Sequence, residues 1–231
     1  MIEKRKQKPS IHLIRGIAVH SAIEKFYTYQ LHKCANMDYA ELKQSVIRLL
    51  KDEWDHQKEN IAACRLAPGD IDFLFDESSR MVIHFLHRFL KDRGFEKPAP
   101  TMEKTLFSKK HMLLGRIDAI YKDKNVPVVL DFKTSKSMEM TDDYKRQLAI
   151  YALLYDEHFK SVPIVAIHFL KFKDGLKRFK VSREALTRIG NLAGNIHEST
   201  TSTDIRDYPC TCGWCDKNFI LTPRNNDPSH R

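Results

Sequence analysis

The hydrophobic pattern of the chain changes period near residue 100. Before that point apolar residues recur at helical spacing, and Ser10 is a candidate cap for the first helix. The helical stretches are Ile14–Tyr27, Tyr39–Trp54 and Ile71–Phe89, closed by Gly94, Pro98 and Pro100. Three short runs rich in β-forming residues follow, at Thr101–Phe107, Met112–Tyr121 and Val126–Phe132. The pattern therefore predicts a helical region followed by a sheet.

The second half of the chain mixes the two periods. We predict a helix at Asp142–His158, a hairpin of strands at Ile164–Phe172 and Leu176–Val181, and a last helix at Arg183–Ile196. This order predicts an α/β or α+β fold with an N-terminal helical elaboration. We expect one compact domain, made of a helical region over residues 1–100, a core over 101–200 and a cysteine-containing tail over 201–231.

The chain is basic. Its 39 Lys and Arg residues exceed its 30 Asp and Glu residues, which gives a net charge of +9. Such a surplus fits a polyanionic partner, because phosphates attract Lys and Arg whatever the sequence. A solvated surface that happens to be basic is the alternative.

The sequence contains no apolar run long enough to cross a membrane, and its basic N-terminus does not continue into a signal-like apolar region. The five cysteines are an odd number, and three of them lie within the last 22 residues. A secreted disulfide framework would distribute them differently. We therefore expect a reducing, cytoplasmic location and no membrane partner.

Charged residues interrupt the predicted strands at two places. Asp131 and Lys133 lie two apart on one strand, so their side chains emerge on the same face. Asp118 lies on the preceding strand, and a hairpin would bring it alongside. Gln147 and Tyr151 are four apart on the following helix, where they share a face and could orient Lys133 or contact a phosphate. Two carboxylates converging beside one lysine need a partner such as a divalent cation.

Oxygen ligands of this kind suit Mg²⁺ or Mn²⁺, with the backbone carbonyl of Phe132 as an additional ligand. Lys133 would position or deprotonate the attacking water and neutralise charge that develops on a phosphate. Taken alone, an Asp-x-Lys pair on a strand is usually a surface ion pair, so the prediction depends on the order and spacing of the whole set. Glu103 is interpreted as a strand-surface carboxylate, with an accessory role at the site as the alternative.

Four motifs in this order resemble the PD-(D/E)XK nuclease superfamily, in particular its RecB-like branch, which includes CRISPR-associated, phage and mitochondrial exonucleases. The matching residues are Gly16 and His20 followed by Glu24, then Gly115 and Asp118, then Asp131 and Lys133, and finally Gln147 and Tyr151. The resemblance extends from about Arg15 to Tyr155. It implies that His20 joins Asp118 and Asp131 at the metal, with Glu24 as an accessory residue.

The resemblance also implies a fold and a function. The fold is a restriction-endonuclease-like core, in which helices flank a central mixed β-sheet and the metal site lies in a cleft. The implied function is that of a DNA exonuclease, which processes single strands or DNA ends in replication or recombination and hydrolyses phosphodiesters with a metal-activated water. The resemblance also implies replication or recombination proteins as partners, and a phage or bacterial source. The alternatives are a non-catalytic DNA-end-binding subunit of a nuclease/helicase complex and a structure-specific endonuclease.

The cysteine-containing tail resembles that of family members that carry a [4Fe–4S] cluster. Cys212 and Cys215 match the family's Cys-x-x-Cys pair, but Leu221 occupies the position of the last ligand. Cys210 could compensate, with Cys34 or Cys64 as the fourth ligand, which gives either an iron–sulfur cluster or a tetrahedral Zn²⁺ site. A remnant with unligated thiols is the alternative.

Overall fold

The computed structural model describes residues 10–92 and 98–201. Its α-helices are α1 (Ile11–Thr28), α2 (Tyr39–His56), α3 (Lys58–Ala63), α4 (Pro68–Asp92), α5 (Asp142–Phe159) and α6 (Arg183–Ser199), with a 3₁₀ turn at Leu31–Lys33. Its strands are β1 (Thr101–Ser108), β2 (Leu113–Asp123), β3 (Val126–Lys133), β4 (Ile164–Phe169) and β5 (Leu176–Lys180). Within the described ranges, no helix has the length and apolar character needed to cross a bilayer.

The five strands form one mixed sheet in the order β1-β2-β3-β4-β5. Antiparallel pairing joins β1 to β2, β2 to β3 and β4 to β5, whereas β3 and β4 run parallel. A parallel pair needs a long crossover, and α5 supplies it. The β2–β3 turn is tight because Lys124 and Asn125 both adopt positive φ, of 48° and 68°, as a two-residue hairpin of this type requires. The predicted α/β fold with a central mixed sheet is confirmed.

Helices cover both faces of the sheet. The core on one face joins α1, α2 and α4 to Val128, Leu130 and Phe132 of β3. The core on the other face joins α5 and α6 to β4, and α5 also packs against Val129. Because β3 is covered on both sides, residues 128–132 are all buried, and a buried central strand needs such a continuous run. The N-terminal helices therefore share a core with the sheet.

Several element boundaries differ from the sequence-based predictions. Strand β4 ends at Phe169 and not at Phe172, because the Phe172 N–H donates to the Phe169 carbonyl and starts the turn to β5. Helix α4 extends from Pro68 to Asp92, well beyond the predicted Ile71–Phe89. Ser10 occupies the N-cap position of α1, but its side chain makes no capping hydrogen bond. The 3₁₀ turn and α3 were not predicted, because short helices show little periodicity.

Gly115 on β2 allows α5 to approach the sheet closely. A Cβ atom at this position would lie 2.6 Å from Leu154 Cδ1 and 3.3 Å from the ring of Tyr151. The glycine of the Gly-x-x-Asp motif thus has a packing role, since it lets the helix that carries Gln147 and Tyr151 lie directly over the strand that carries Asp118.

We expect Gly115→Ala to lower the free energy of unfolding by about 1–3 kcal/mol, because the added methyl overpacks the contact with α5. Gly194→Ala on α6 is the matched control. A Cβ there meets nothing within 4 Å, so the substitution should raise stability by about 0.5–1 kcal/mol. Urea unfolding of both variants measures the effect, and a Gly115→Ala protein as stable as the wild type would contradict this packing role.

Candidate active site

Asp118 lies where β2 separates from β3. The regular pairing of the two strands ends at Ala119 and Leu130. Beyond this pair, the N–H of Phe132, two residues after Leu130, donates to Asp118 Oδ2 at 2.7 Å. The carboxylate thus replaces the strand carbonyl that would otherwise accept this bond. Asp118 and Ala119 both face α1, although neighbours on a regular strand point to opposite faces. This irregularity turns a buried carboxylate towards α1.

Glu103 lies directly across from Asp118 on β1. The pairs on either side are Met102 with Ala119 and Lys104 with Ile117, so Glu103 and Asp118 occupy opposed positions. Glu103 has a φ of 52°, in the left-handed region that a non-glycine residue adopts at a cost. Like charges opposed across strands repel. Strain and repulsion at one point of the sheet indicate a site shaped for a ligand rather than for stability.

His20 completes this group from α1. Its Nδ1 atom is 3.5 Å from Asp118 Oδ2, and its ring packs edge-on against Phe132, with centroids 6.1 Å apart. Ligand atoms of His20, Glu103 and Asp118 all lie within 4.8 Å of one another. Among the described residues, this is the set whose mutual spacing suits a single cation, and Asp131 lies outside it.

The pKa values in this cluster reflect its negative charge. Burial alone would lower the pKa of His20, but the Asp118 carboxylate, followed by Asp131 and Glu103, outweighs burial and raises it. Burial, with Asp118 next, raises the pKa of Glu103, and the ion pair with Arg116 only partly opposes the shift. The cluster thus favours the binding of positive charge.

Asp131 lies one strand further into the sheet and is 2% exposed. Burial raises its pKa to about 6, Lys133 opposes that shift, and Asp118 adds to it. The buried Oδ2 atom of Asp131 accepts no hydrogen bond within the described part of the chain, although Lys133 Nζ lies 2.9 Å away in an ion pair. A buried carboxylate with this limited compensation has unused capacity for a cation.

Lys133 is held by a relay on α5. Its Nζ donates to Gln147 Oε1 at 2.8 Å, and Gln147 Nε2 donates to Tyr151 Oη at 2.9 Å. The ring of Tyr144 lies 5.1 Å from the same ammonium group. Burial, with Asp131 next, raises the pKa of Tyr151 to about 12, so its hydroxyl stays protonated at neutral pH. The arrangement fixes Lys133 beside Asp131.

An open cleft of about 500 Å³ leads to this cluster between α1 and the β1–β2 strands. It is lined by His20 and Glu24 of α1 and by Glu103, Arg116 and Asp118 of the sheet, among others. Asp131 and Lys133 lie behind it, towards α5. The structure thus brings Asp118, Asp131 and Lys133 together. It also places Glu103 within the group formed with His20 and Asp118, whereas the sequence analysis gave it at most an accessory role.

The sequence analysis missed Arg15 as a positioning residue. This arginine is 2% exposed, pairs with Glu77 of α4 and donates to the Thr134 carbonyl at 3.0 Å. It therefore ties α1 to α4 and to the end of β3. In the sequence, this role was indicated by the position of Arg15 immediately before the Gly16–His20 motif.

The proposed cysteine site cannot be described as a unit. Cys210, Cys212 and Cys215 lie outside the described residues. Cys34 follows the 3₁₀ turn and Cys64 ends α3, and their thiols contact the backbone carbonyls of Gln30 and Asn60. Both cysteines are half-buried.

Comparison with known families agrees with the geometry. A sequence model of the PD-(D/E)XK nuclease superfamily matches residues 2–218, which is most of the chain. A search of curated proteins gave no match.

The bond from Phe132 to Asp118 predicts a difference between two substitutions at residue 118. Asp118→Ala removes the acceptor and leaves a buried N–H unpaired, which should cost about 1–3 kcal/mol. Asp118→Asn keeps a carbonyl oxygen as acceptor and should unfold at a higher denaturant concentration than Asp118→Ala. Both are measured by urea unfolding in EDTA. Equal stability of the two variants would show that the bond has no structural role.

Proposed function

The chain belongs to the PD-(D/E)XK nuclease superfamily, and we propose that it is a Mg²⁺- or Mn²⁺-dependent deoxyribonuclease of the RecB-like branch. The observation that best supports this is the cluster of His20, Glu103 and Asp118 beside the Asp131–Lys133 pair. Members of the superfamily are generally nucleases that use divalent metals. The reaction proposed for this chain is hydrolysis of phosphodiesters, as an exonuclease that processes DNA ends in replication or recombination.

The side chains that would hold the cation are Asp118 and His20. The ligand set implied by the family resemblance adds Asp131, although this residue lies outside the group spaced for a single cation, and the Phe132 carbonyl. Glu103 joins this proposed set, because its carboxylate lies opposite Asp118 and within reach of His20. The donors fit Mg²⁺ or Mn²⁺, since carboxylates dominate and one imidazole is tolerated by Mn²⁺. When bound, such a cation lowers the pKa of a coordinated water and withdraws charge from a phosphate.

Lys133 is the proposed catalytic lysine. Its ammonium group would bind a phosphate oxygen and stabilise the charge that develops as the phosphodiester is attacked. Gln147 and Tyr151 would hold it in place through the two hydrogen bonds of the relay. The Nζ atom of Lys133 lies 2.9 Å from Asp131 Oδ2, so the side chain is directed towards the carboxylates.

Two alternative functions make different predictions. A non-catalytic DNA-end-binding subunit would not need opposed carboxylates beside a buried Asp–Lys pair, because carboxylates repel phosphate. The Asp118, Asp131 and Lys133 set therefore favours the enzyme. A structure-specific endonuclease would use the same residues and differ only in the form of DNA that its cleft accommodates.

Incubation of the protein with linear and circular single-stranded DNA, in Mg²⁺ or Mn²⁺, tests the proposal. We expect the linear strand to be shortened from an end and the circle to survive, because an exonuclease requires a terminus. Cutting of the circle would assign the chain to the endonucleases. Binding of the linear strand without any cleavage, and without binding of the circle, would leave the end-binding subunit as the correct description.

Lys133→Met should lower kcat by about 10²–10⁴-fold, the range for loss of a group that acts in proton transfer or charge stabilisation. Affinity for DNA should change little, because one phosphate contact among several supplies a small part of it. Lys145→Met removes an exposed lysine of α5 that pairs with Asp142, so it serves as the control and should retain full activity. A parallel loss of affinity and kcat in Lys133→Met would make Lys133 a docking residue.

We also retain the proposal of a metal site in the cysteine-containing tail, as a [4Fe–4S] cluster or a Zn²⁺ ion. Protein purified without oxygen should contain stoichiometric iron with a brown chromophore, or stoichiometric zinc. Triple substitution of Cys210, Cys212 and Cys215 by Ser should remove the metal and lower thermal stability, because metal binding is coupled to folding. Single Cys34→Ser and Cys64→Ser variants identify the fourth ligand. Freshly prepared wild-type protein with neither metal would refute the proposal.

A further inference from the structure

We propose that Leu13 and Ile17, an exposed apolar pair on α1, form a contact surface for unpaired nucleobases, so that the cleft binds a single strand of DNA with its bases turned towards α1. The proposal rests on the proposed nuclease function and adds the substrate class that the active site admits. It assigns a binding role to two side chains outside the catalytic motifs.

The two residues do not belong to the core face of α1. Leu13 is 64% exposed and Ile17 is 43% exposed, whereas Ile14, Ala18 and Val19 are buried. Single exposed apolar residues are normal on any protein surface. These two lie one helical turn apart and line the same cleft as His20 and Asp118. An apolar surface inside a concave site that is otherwise polar requires a ligand with an apolar part.

Distances along α1 match the spacing of nucleotides. Ile17 precedes His20 by three residues and Leu13 precedes it by seven, which is about 4.5 Å and about 10 Å along the helix axis. Nucleotides of one strand are about 3.4 Å apart when their bases are stacked and further apart when the bases are unstacked. A strand with its scissile phosphate at His20 would therefore place its next one to three bases beside Ile17 and Leu13.

The charges along the cleft also match a nucleic acid strand. The inner end holds carboxylates, as a cation site requires, whereas the end at the start of α1 is basic. There the pKa of His12 is lowered first by partial loss of solvent and then by the positive charges of Arg15, Lys136 and Lys171, while Glu77, which pairs with Arg15 and Lys171, opposes the shift. Lys136, three residues after the end of β3, is exposed and would pair with a phosphate. The cleft thus offers a cation site, an apolar wall and basic groups to one continuous ligand.

Of the ligands with this chemistry, a single strand fits best. In a duplex the faces of the bases are stacked on one another and cannot contact the aliphatic side chains of a helix. A single strand exposes them, and its contact with apolar side chains is independent of base identity. The proposal therefore predicts that removal of a few bases weakens binding, while the choice among bases has little effect.

The test compares Leu13→Gln/Ile17→Gln with Leu192→Gln/Ile196→Gln. The control pair has the same residue types and spacing, and is also exposed, but lies on α6 outside the cleft. Glutamine preserves helix propensity at each position. Fluorescence anisotropy in EDTA measures the binding of a fluorescent oligothymidylate and of two versions with three abasic nucleotides, at the 5′ end or at the 3′ end.

We expect the wild type and the α6 variant to bind at least one abasic strand about fivefold or more weakly than the intact strand. This corresponds to about 1 kcal/mol, the gain from removing about 40 Å² of apolar surface from water. The α1 variant should bind intact and abasic strands equally weakly, because the contact is already lost. An α1 variant that discriminates against abasic strands as strongly as the wild type would overturn the proposal. A lowered melting temperature with unchanged DNA affinity would also overturn it, since Leu13 and Ile17 would then pack against protein.

This result is independent of cleavage. If the wild type discriminates against abasic strands, the α1 variant does not, and the wild type never cuts DNA in Mg²⁺ or Mn²⁺, the nuclease proposal fails and the base-contact surface remains. If it cuts DNA and the α1 variant shows no change in abasic discrimination, the nuclease proposal stands and the surface is refuted.

Discussion

The hydrogen bond from the Phe132 backbone to the Asp118 carboxylate is the contact on which the rest of the site depends. It lies where β2 leaves β3, and it satisfies a backbone donor that in a continuous ladder would pair with a carbonyl of β2. The same bond orients Phe132, whose side chain packs against His20. The next residue in the chain is Lys133, whose ammonium group is held by a hydrogen bond to Gln147 of α5. One side-chain acceptor thus connects the cluster of His20, Glu103 and Asp118 to Lys133 through the backbone of β3.

The cost of this arrangement is visible in the neighbouring residues. Glu103 has a left-handed backbone, its carboxylate opposes that of Asp118, and Asp131 is buried with a pKa raised to about 6. A sequence selected for stability alone would place apolar residues at these positions, because buried carboxylates without full compensation destabilise the folded state. The surrounding cores on both faces of the sheet supply the stability that holds these groups in place. Violations of local rules concentrated at one point are the structural signature of a functional site.

Much of the fold was predictable because it depends on periodicity. The change from helical to strand spacing near residue 100 located the sheet, and helix α5 was predicted from a long amphipathic stretch between two strands. The spacing of Asp131 and Lys133, and that of Gln147 and Tyr151, placed each pair on one face from geometry alone. These relations are local, and local geometry is what a sequence pattern records.

The features that the sequence did not predict depend on contacts between residues that are far apart along the chain. The position of Glu103 opposite Asp118 requires the pairing of β1 with β2, and its positive φ has no sequence signal. Arg15 contacts Glu77 and Thr134, which lie 62 and 119 residues away along the chain. His20 was assigned only through the resemblance to a family, because a histidine on a helix is by itself unremarkable.

The central claim is that Glu103, Asp118 and His20 form a divalent-cation site, and Mn²⁺ binding without DNA tests it most directly. Electron paramagnetic resonance of free Mn²⁺ during titration gives the affinity of the wild type and of Glu103→Gln, with Glu59→Gln on α3 as a control outside the cleft. The account predicts Mn²⁺ binding that weakens about tenfold or more in Glu103→Gln, the scale on which loss of a group that supports a metal acts, and is unchanged in the control. Equal affinities of the wild type and Glu103→Gln would contradict it.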